Sequence, residues 1–268
     1  MRVVTSPGTL ALILGNESYK GLLILWSHRV TLVPEIAVVA ATYLMLQFLL
    51  GGGRLVAALL PVTLLGFLAY ALIYLVTLRM SAGILEEMNA GTLEQVHLSP
   101  LPAWLLSAGR LGAGLAEGIG ITALLAVGAV ALLGISYPLR WEALLPIALT
   151  VLDIAGFALL IGGITLVFTG IGTLLHIIHG IVMLLNGSLV PVALFPEWLG
   201  TIARLLPTTL GIEATRKLLL DGLSLDAVWS DGTLPLLLAH TAAMLALGWV
   251  VYEWATQRAL RDGRLGPR

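Results

Sequence analysis

Residues 86–102 read EEMNAGTLEQVHLSPLP and form the longest polar interruption in the first half of a very apolar sequence. Long hydrophobic runs lie on either side of this stretch. Gly91 is expected to end the preceding helix, since glycine disfavours a helix interior. Thr92 and Gln95 have the spacing of a Thr-x-x-Gln capping box, which predicts the start of a new, short helix. Residues 99–102 end that helix, because a residue before proline is pushed out of the helical region.

The composition excludes a soluble domain. Hydrophobic residues make up 59% of the chain and charged residues 11%, whereas a soluble domain has about 25% charged residues. The mean hydropathy is +1.01. A net charge of -1 argues against a nucleic-acid partner, which requires a basic face. Because the chain has no cysteine, disulfides, thiolate metal sites and cysteine nucleophiles are excluded.

Six stretches are apolar enough to cross a lipid bilayer, which takes about 20 mainly apolar residues. They are residues 31–50, 56–78, 105–135, 144–168, 174–195 and 234–252. The N-terminal residues lack the pattern of a cleaved signal peptide, so we expect the helices themselves to direct insertion. The placement of Lys and Arg, above all Arg258, Arg261 and Arg264, predicts a multi-pass inner-membrane protein with both termini in the cytoplasm.

Two amphipathic regions lie outside these spans. Residues 17–30 have an apolar face too short to cross the bilayer, which predicts a helix lying in the interface; the alternative is a ragged start of the first span. Residues 196–232 form the longest external piece and contain two short amphipathic runs, 196–206 and 208–220, hinged at Pro207. Because backbone at membrane depth must satisfy its hydrogen bonds internally, we expect a re-entrant or interfacial helical hairpin there.

A specific pattern carries a resemblance to a known family. The run Glu-x-x-x-Gly-Thr-Leu-Glu-Gln and the Ser-Pro turn after it, at residues 87–100, resemble the cytoplasmic coupling segment of ABC type-2 transporter permeases. The Phe195-Pro196 and Leu206-Pro207 pairs, with Arg216 after them, resemble the external hairpin of the same family. The resemblance therefore covers most of the chain.

The resemblance implies an all-α polytopic membrane protein with six transmembrane helices. The chain would form a single permease domain, residues 1–268, whose accessory parts are an N-terminal interfacial helix, a cytoplasmic coupling helix and an external re-entrant hairpin. The coupling helix falls within residues 80–102 and the hairpin, with its loop, within residues 196–232.

The chain has no phosphate-binding loop of the kind that an ATP-driven pump needs. Such a loop places a lysine directly after a glycine, and the two lysines, Lys20 and Lys217, follow other residues. We therefore expect no cofactor and no catalytic residue in this chain. The resemblance implies that ATP and Mg²⁺ belong to a separate ATP-binding cassette ATPase subunit. The residues expected to dock that subunit are Glu86, Glu87, Gly91, Thr92, Leu93, Glu94 and Gln95.

Charged residues within membrane helices are costly and by default indicate function. Glu117 lies in the middle of the third span and Asp153 in the fourth. Both are candidates for a proton relay, but they would also serve as polar groups that hold helices together. His176 and His179 can share a helix face, yet a metal ion would need further ligands and none is nearby in sequence.

The resemblance further implies that two permease chains, identical or different, meet in the lipid bilayer around a path lined by the second and fifth spans. The candidates for lining this path are Tyr70, Tyr74, Met183, Asn186 and Phe195. These positions offer a mainly apolar surface, which favours an amphiphilic or hydrophobic small molecule as cargo. The favoured function is the membrane subunit of a drug-export-like ABC exporter, of the kind associated with multidrug resistance, working by alternating access.

Other functions remain open on the sequence alone. A proton-coupled secondary transporter would use Glu117, Asp153 and His240. An intramembrane hydrolase would pair Ser188 with His240, although the sequence lacks the glycine that such enzymes have after the serine. A membrane scaffold would transport nothing. An ATPase encoded next to this chain would distinguish the exporter from the other three.

Overall fold

A computed structural model describes residues 15, 29–91, 103–138, 140–168 and 171–263, and the secondary structure of these residues is helical. The α-helices are α1 (Arg29–Leu50), α2 (Leu60–Asn89), α3 (Ala103–Leu133), α4 (Leu144–Val167), α5 (Ile171–Leu185), α6 (Glu197–Ala203), α7 (Thr209–Leu219), α8 (Leu225–Ser230) and α9 (Thr233–Arg261). Short 3-10 turns occur at Trp141–Ala143 and Val192–Leu194. The predicted all-α polytopic membrane class is confirmed. Nearly all of the predicted interfacial helix, residues 17–30, and the short helix after Gly91 lie outside the described residues.

Among the residues that the structure describes, five helices are long and apolar enough to cross a membrane, namely α1, α2, α3, α4 and α9. Each corresponds to a predicted span, but two run further than predicted. α2 has 30 residues and α9 has 29, which at 1.5 Å per residue makes each about 45 Å long, against a hydrocarbon core of about 30 Å. Polar residues lower the hydropathy beyond residues 78 and 252 without breaking the helix. The helices stop just before Gly91 and Gly263, which have φ angles of 67° and 61°.

The predicted fifth span, residues 174–195, is wrong in its extent. α5 has only 15 residues, or about 22 Å of helix. It ends because Asn186 Oδ1 accepts a hydrogen bond from the Ser188 backbone N–H at 2.9 Å, and Gly187 adopts a φ of 82°; both features favour a turn. The chain then continues to Phe195 in an irregular path with one 3-10 turn. In the described ranges, five long helices and one short helix, α5, therefore stand where six continuous spans were predicted.

α2 is the central helix, since it packs against α1, α3, α4, α5 and α7. The most extensive helix–helix interface lies between α4 and α9. Glycines bring these two backbones into contact: a Cβ on Gly156 would lie 2.6 Å from the backbone nitrogen of Leu245, and a Cβ on Gly248 would overlap the carbonyl oxygen of Gly156. Gly163 makes a similar approach to Tyr252, at 3.0 Å from its Cα. The contact is therefore backbone to backbone.

The two amphipathic runs around Pro207 form α6 and α7, as predicted. Thr208, between them, has a φ of 73° and is the one non-glycine residue with positive φ among the described residues. α7 packs against α2, α4 and α9, and α8 packs against α7 and α9. α7 meets α2 at Val62, in the first turn of α2, and α4 at Thr150, in its N-terminal half. α6–α8 therefore lie opposite the end at which α2 meets residues 92–102. We call the region of α6–α8 the hairpin end.

Candidate functional site

α2 and α3 are tied together where they border residues 92–102, a region called here the α2–α3 end. Glu87 of α2 forms a salt bridge with Arg110 of α3. The helices approach closely because Gly83 has no side chain; a Cβ there would lie 3.3 Å from Arg110 Cδ. Glu86 is exposed. The α2–α3 end is thus a joined pair of helix ends that carries the polar segment between them.

The predicted docking residues fall partly within this region. Glu86, Glu87 and Gly91 are described, and the positive φ of Gly91 confirms the predicted helix break. Thr92, Leu93, Glu94 and Gln95 lie outside the described residues, so the capping box and the docking role stay predictions. The structure adds Arg110, which the sequence did not indicate because its link to Glu87 spans 23 positions.

Glu117 belongs to an ion cluster that joins three helices. Arg79 Nη2 of α2 donates to Glu117 Oε1 of α3 at 2.7 Å and to Glu35 Oε2 of α1 at 2.9 Å. The Glu117 side chain is 6% exposed, whereas those of Glu35 and Arg79 are 24% and 41% exposed. The buried carboxylate therefore has a cationic partner, as buried charges generally require. This arrangement fits a polar group that holds helices together.

An aromatic row follows one side of α2. Ring centroids are 5.3 Å apart for Tyr43 and Phe67, 6.0 Å for Phe67 and Tyr70, 6.2 Å for Tyr70 and Tyr74, and 4.8 Å for Tyr74 and His179. These separations lie within the range of favourable aromatic contacts. The row connects α1 through α2 to α5.

The candidates for a translocation path lie in two different settings. Tyr70 and Tyr74 are half-buried neighbours in the aromatic row, and neither hydroxyl has a hydrogen-bond partner within the described chain. Met183 and Phe195 are also half-buried. Asn186 is fully buried, because its side chain closes the turn after α5. The Asn186 amide is therefore already hydrogen-bonded within the chain, to Ser188 and Thr208.

The two histidines of α5 have separate environments. His179 Nε2 lies 2.7 Å from Thr77 Oγ1, and its ring is 2% exposed. His176 is exposed. Across the described ranges, no three His, Asp or Glu residues are grouped so that they could hold a metal ion.

A continuous hydrogen-bonded network joins the turn after α5 to the hairpin end. Ser188 Oγ donates to the carbonyl of Met183 at 2.7 Å. Asn186 Nδ2 donates to Thr208 Oγ1 at 2.9 Å, and the Thr208 backbone N–H donates to Asp153 Oδ2 at 2.9 Å. Asn186, Ser188 and Thr208 are all at most 1% exposed. Buried polar groups of this kind stabilise a fold only when each is satisfied, as here.

Asp153 and His240 form the second half of this network. His240 Nδ1 lies 3.0 Å from Asp153 Oδ1, and His240 Nε2 lies 3.2 Å from the carbonyl oxygen of Leu205. Asp153 is 1% exposed. Glu117 contacts different helices, so the structure does not bring Glu117, Asp153 and His240 into one relay. Nor does it pair Ser188 with His240, since each has other partners.

Arg216 connects α7 to the start of α2. Its Nη2 and Nε donate to the carbonyl oxygen of Val62 at 2.7 and 3.1 Å, and Nη2 lies 3.5 Å from the carbonyl oxygen of Ser188. Gly66 permits this, because a Cβ there would lie 2.5 Å from Ser188 Cα. Burial lowers the pKa of Arg216 to about 10, against the raising effects of Tyr137 and Glu213. The guanidinium therefore stays charged at neutral pH.

Comparison with known proteins adds to this geometry. The family model described as ABC-2 type transporter matches residues 18–220, which is most of the chain. The match covers α1 to α7 and the polar segment between α2 and α3. The search of curated proteins found no match.

Proposed function

Since the chain belongs to the ABC-2 type transporter family, we propose that it is the membrane subunit of an ATP-driven exporter, energised by a separate ATPase. The family match over residues 18–220 carries the proposal, because it includes the segment at residues 86–102 on which an ATPase would dock. The lack of a Gly-Lys phosphate loop in the sequence supports the same division of labour.

The proposed site of coupling is the α2–α3 end. Closure of the ATPases would pull the short helix at residues 92–98. The Glu87–Arg110 salt bridge ties α2 to α3, so the pull would tilt both helices together. The movement would reach the hairpin end through α2, whose first turn is bonded to Arg216. ATP shifts this equilibrium only if the ATPase contacts the two conformations differently.

The remaining assignments belong to the same proposal. Both termini and the α2–α3 end would face the cytoplasm across the inner membrane, and the hairpin end would face outward. Two permease chains would enclose a path past Tyr70 and Tyr74. The mainly apolar surface near these half-buried rings favours an amphiphilic or hydrophobic small molecule. We favour export as the direction of transport, in which case the hairpin end would border the outer opening of the path.

The test is a charge reversal within the proposed docking surface. Glu94→Arg should abolish capture of the co-expressed ATPase by an affinity-tagged permease, and with it cargo-stimulated ATP hydrolysis, while the variant still inserts into membranes. Asp221→Arg is the matched control, since Asp221 is an exposed acid at the hairpin end; it should leave capture and hydrolysis unchanged. Normal capture and turnover in Glu94→Arg would contradict the docking role.

A further inference from the structure

Asp153 and His240 hold the hairpin on both sides of Pro207. Before the hinge, the Leu205 carbonyl oxygen lies 3.2 Å from His240 Nε2. After the hinge, the Thr208 backbone N–H donates to Asp153 Oδ2 at 2.9 Å. The two side chains are joined to each other at 3.0 Å. One pair, on α4 and α9, thus contacts the chain both just after α6 and just before α7.

The state of protonation follows from the partners of the imidazole. Both ring nitrogens of His240 face oxygen atoms, a carboxylate on one side and a backbone carbonyl on the other. A carboxylate and a carbonyl can only accept, and a neutral imidazole has a single N–H. The ring can donate to both oxygens only as an imidazolium. A neutral ring can still donate to Asp153. Donation to the Leu205 carbonyl as well requires the second proton, on Nε2.

We propose that the Asp153–His240 pair is a proton-controlled latch on the hairpin. With the ring protonated, Leu205 and Thr208 are both held. When the ring loses a proton, the remaining N–H stays with the Asp153 carboxylate, because a hydrogen bond to a charged acceptor is the stronger one. The Nε2 lone pair then faces the Leu205 carbonyl oxygen and repels it. This latch is a regulatory device beyond the proposed export cycle, and it does not depend on the ATPase.

The release would be one-sided. α7 keeps its bond from Thr208 to Asp153 and its anchor at Arg216, which is 8% exposed. α6 is held more weakly, for its buried residues are only Gly200 and Ala203. Trp198 and Ile202 on α6 are exposed. Deprotonation is therefore expected to free α6 and leave α7 in place.

The charged groups around the ring leave Asp153 as its controlling partner. α4 carries no other charged residue, and α9 carries none before Glu253. On the hairpin, Arg204 is paired with Glu213 at 3.3 Å. Lys217 is paired with Asp231 at 2.7 Å, near the start of α9. Histidine is the side chain whose ordinary pKa lies closest to neutral pH.

Distance measurements between spin labels test the latch directly. The chain has no native cysteine, so labels attach only at introduced cysteines. Labels on Thr201→Cys in α6 and Leu236→Cys in α9 use exposed positions. In nanodiscs without nucleotide, pulsed electron paramagnetic resonance should give a narrow distance distribution at pH 5 and a longer, broad one at pH 10, because the contact with Asp153 favours the protonated ring. A second pair, Asp221→Cys with Leu236→Cys, reports on the end of α7 and should not change.

Substitutions at position 240 assign the effect to the ring. His240→Gln cannot become an imidazolium, so the α6 distance should be broad at both pH values. His240→Lys keeps a cation and should give the narrow distribution at both. His176→Gln, which removes an exposed histidine on α5, should retain the change seen in the unsubstituted chain. If neither variant at position 240 folds, the dependence of the α6 distance on pH in the unsubstituted chain still tests the latch. A distance that does not change with pH there, or a change that persists in His240→Gln, would overturn the latch.

Discussion

The α4–α9 pair and the α1–α2–α3 group are held together by different forces. Between α4 and α9, Gly156 and Gly248 place backbone atoms in direct contact. Between α1, α2 and α3, polar side chains make several links: the guanidinium of Arg79, which is 41% exposed, serves two carboxylates. Glu87 pairs with Arg110, and Gln47 Nε2 donates to Thr63 Oγ1 at 2.7 Å. Few side chains of α1 are buried against the other helices, and most of the helix is exposed.

The difference indicates which part of the molecule can move. Close packing of backbone on backbone resists gradual separation, since a gap of about 0.5–1 Å already loses roughly a quarter to a half of the dispersion attraction. By contrast, a partly exposed ion pair such as Arg79–Glu35 can be broken at a cost of about 1 kcal/mol or less. We therefore regard α4 and α9 as the fixed support, and α1 to α3 as the part that responds to force at the α2–α3 end.

The largest expected effect comes from placing a methyl group in the α4–α9 contact. Gly248→Ala puts a Cβ against the carbonyl oxygen of Gly156, and no flexible side chain is there to yield. The free energy of unfolding should fall by about 3 kcal/mol, the upper part of the usual range for overpacking. Detergent-induced unfolding followed by tryptophan fluorescence measures this change.

Gly128→Ala in α3 provides the control for helix propensity. Nothing lies within 4 Å of a Cβ at Gly128, so this variant should be unchanged or more stable by up to about 1 kcal/mol. If Gly248→Ala behaved like Gly128→Ala, the α4–α9 contact would not be the rigid support described above.

A smaller effect is expected from the ion cluster, and it should differ between its two acids. Glu117→Gln removes the 6% exposed carboxylate that bonds Arg79 at 2.7 Å. The loss should be about 1.5 kcal/mol, the low end for a hydrogen bond to a charged group, because Arg79 keeps its bond to Glu35. Glu35→Gln removes the more exposed carboxylate and should cost about 0.5 kcal/mol.

The same unfolding measurement, made on both single variants and on the double variant, sharpens the comparison. Because the two acids share one guanidinium, the costs should not add. Equal losses for Glu35→Gln and Glu117→Gln would mean that burial does not distinguish the two acids, contrary to the exposures of their side chains.

Much of the helical framework could be predicted from the sequence, because apolar length and helix breakers are local signals. The starts of α2, α3 and α4 lie within a few residues of the predicted ones, and Gly91 and Pro207 mark real boundaries. The end of α5 could not be predicted from hydropathy, since residues 189–195 are as apolar as a span. The turn depends on how the Asn186 side chain folds back on Ser188.

The candidate sites were less accessible to prediction than the helices. Glu117 and Asp153 were identified by their cost within a membrane, which is a property of one residue. Arg79, the partner of Glu117, was not identified, because it lies 38 positions away and no periodicity links the two. His240 was grouped with Asp153, 87 positions away, only within a relay that also included Glu117, and the structure keeps the pair but not that relay. The Leu205 carbonyl gives no signal in any sequence, since every residue has a carbonyl. Such contacts require the folded backbone.

The smallest expected effect concerns an exposed ion pair at the hairpin end, where packing and buried hydrogen bonds otherwise predominate. Burial raises the pKa of Asp231, but hydrogen bonds from Lys217 Nζ at 2.7 Å and the Thr233 N–H at 2.8 Å lower it to about 2. This folded value lies below the unfolded value of about 3.9, so the stabilisation is complete above about pH 4. It should be lost as the pH falls from about 4 to 2. Thermal unfolding across that window should show a shallow decline that Asp231→Asn lacks. If the unsubstituted chain and Asp231→Asn both showed a steep decline, the acid sensitivity would belong to other carboxylates. If the decline were large and Asp231→Asn abolished it, ion pairs rather than packing would hold the hairpin end.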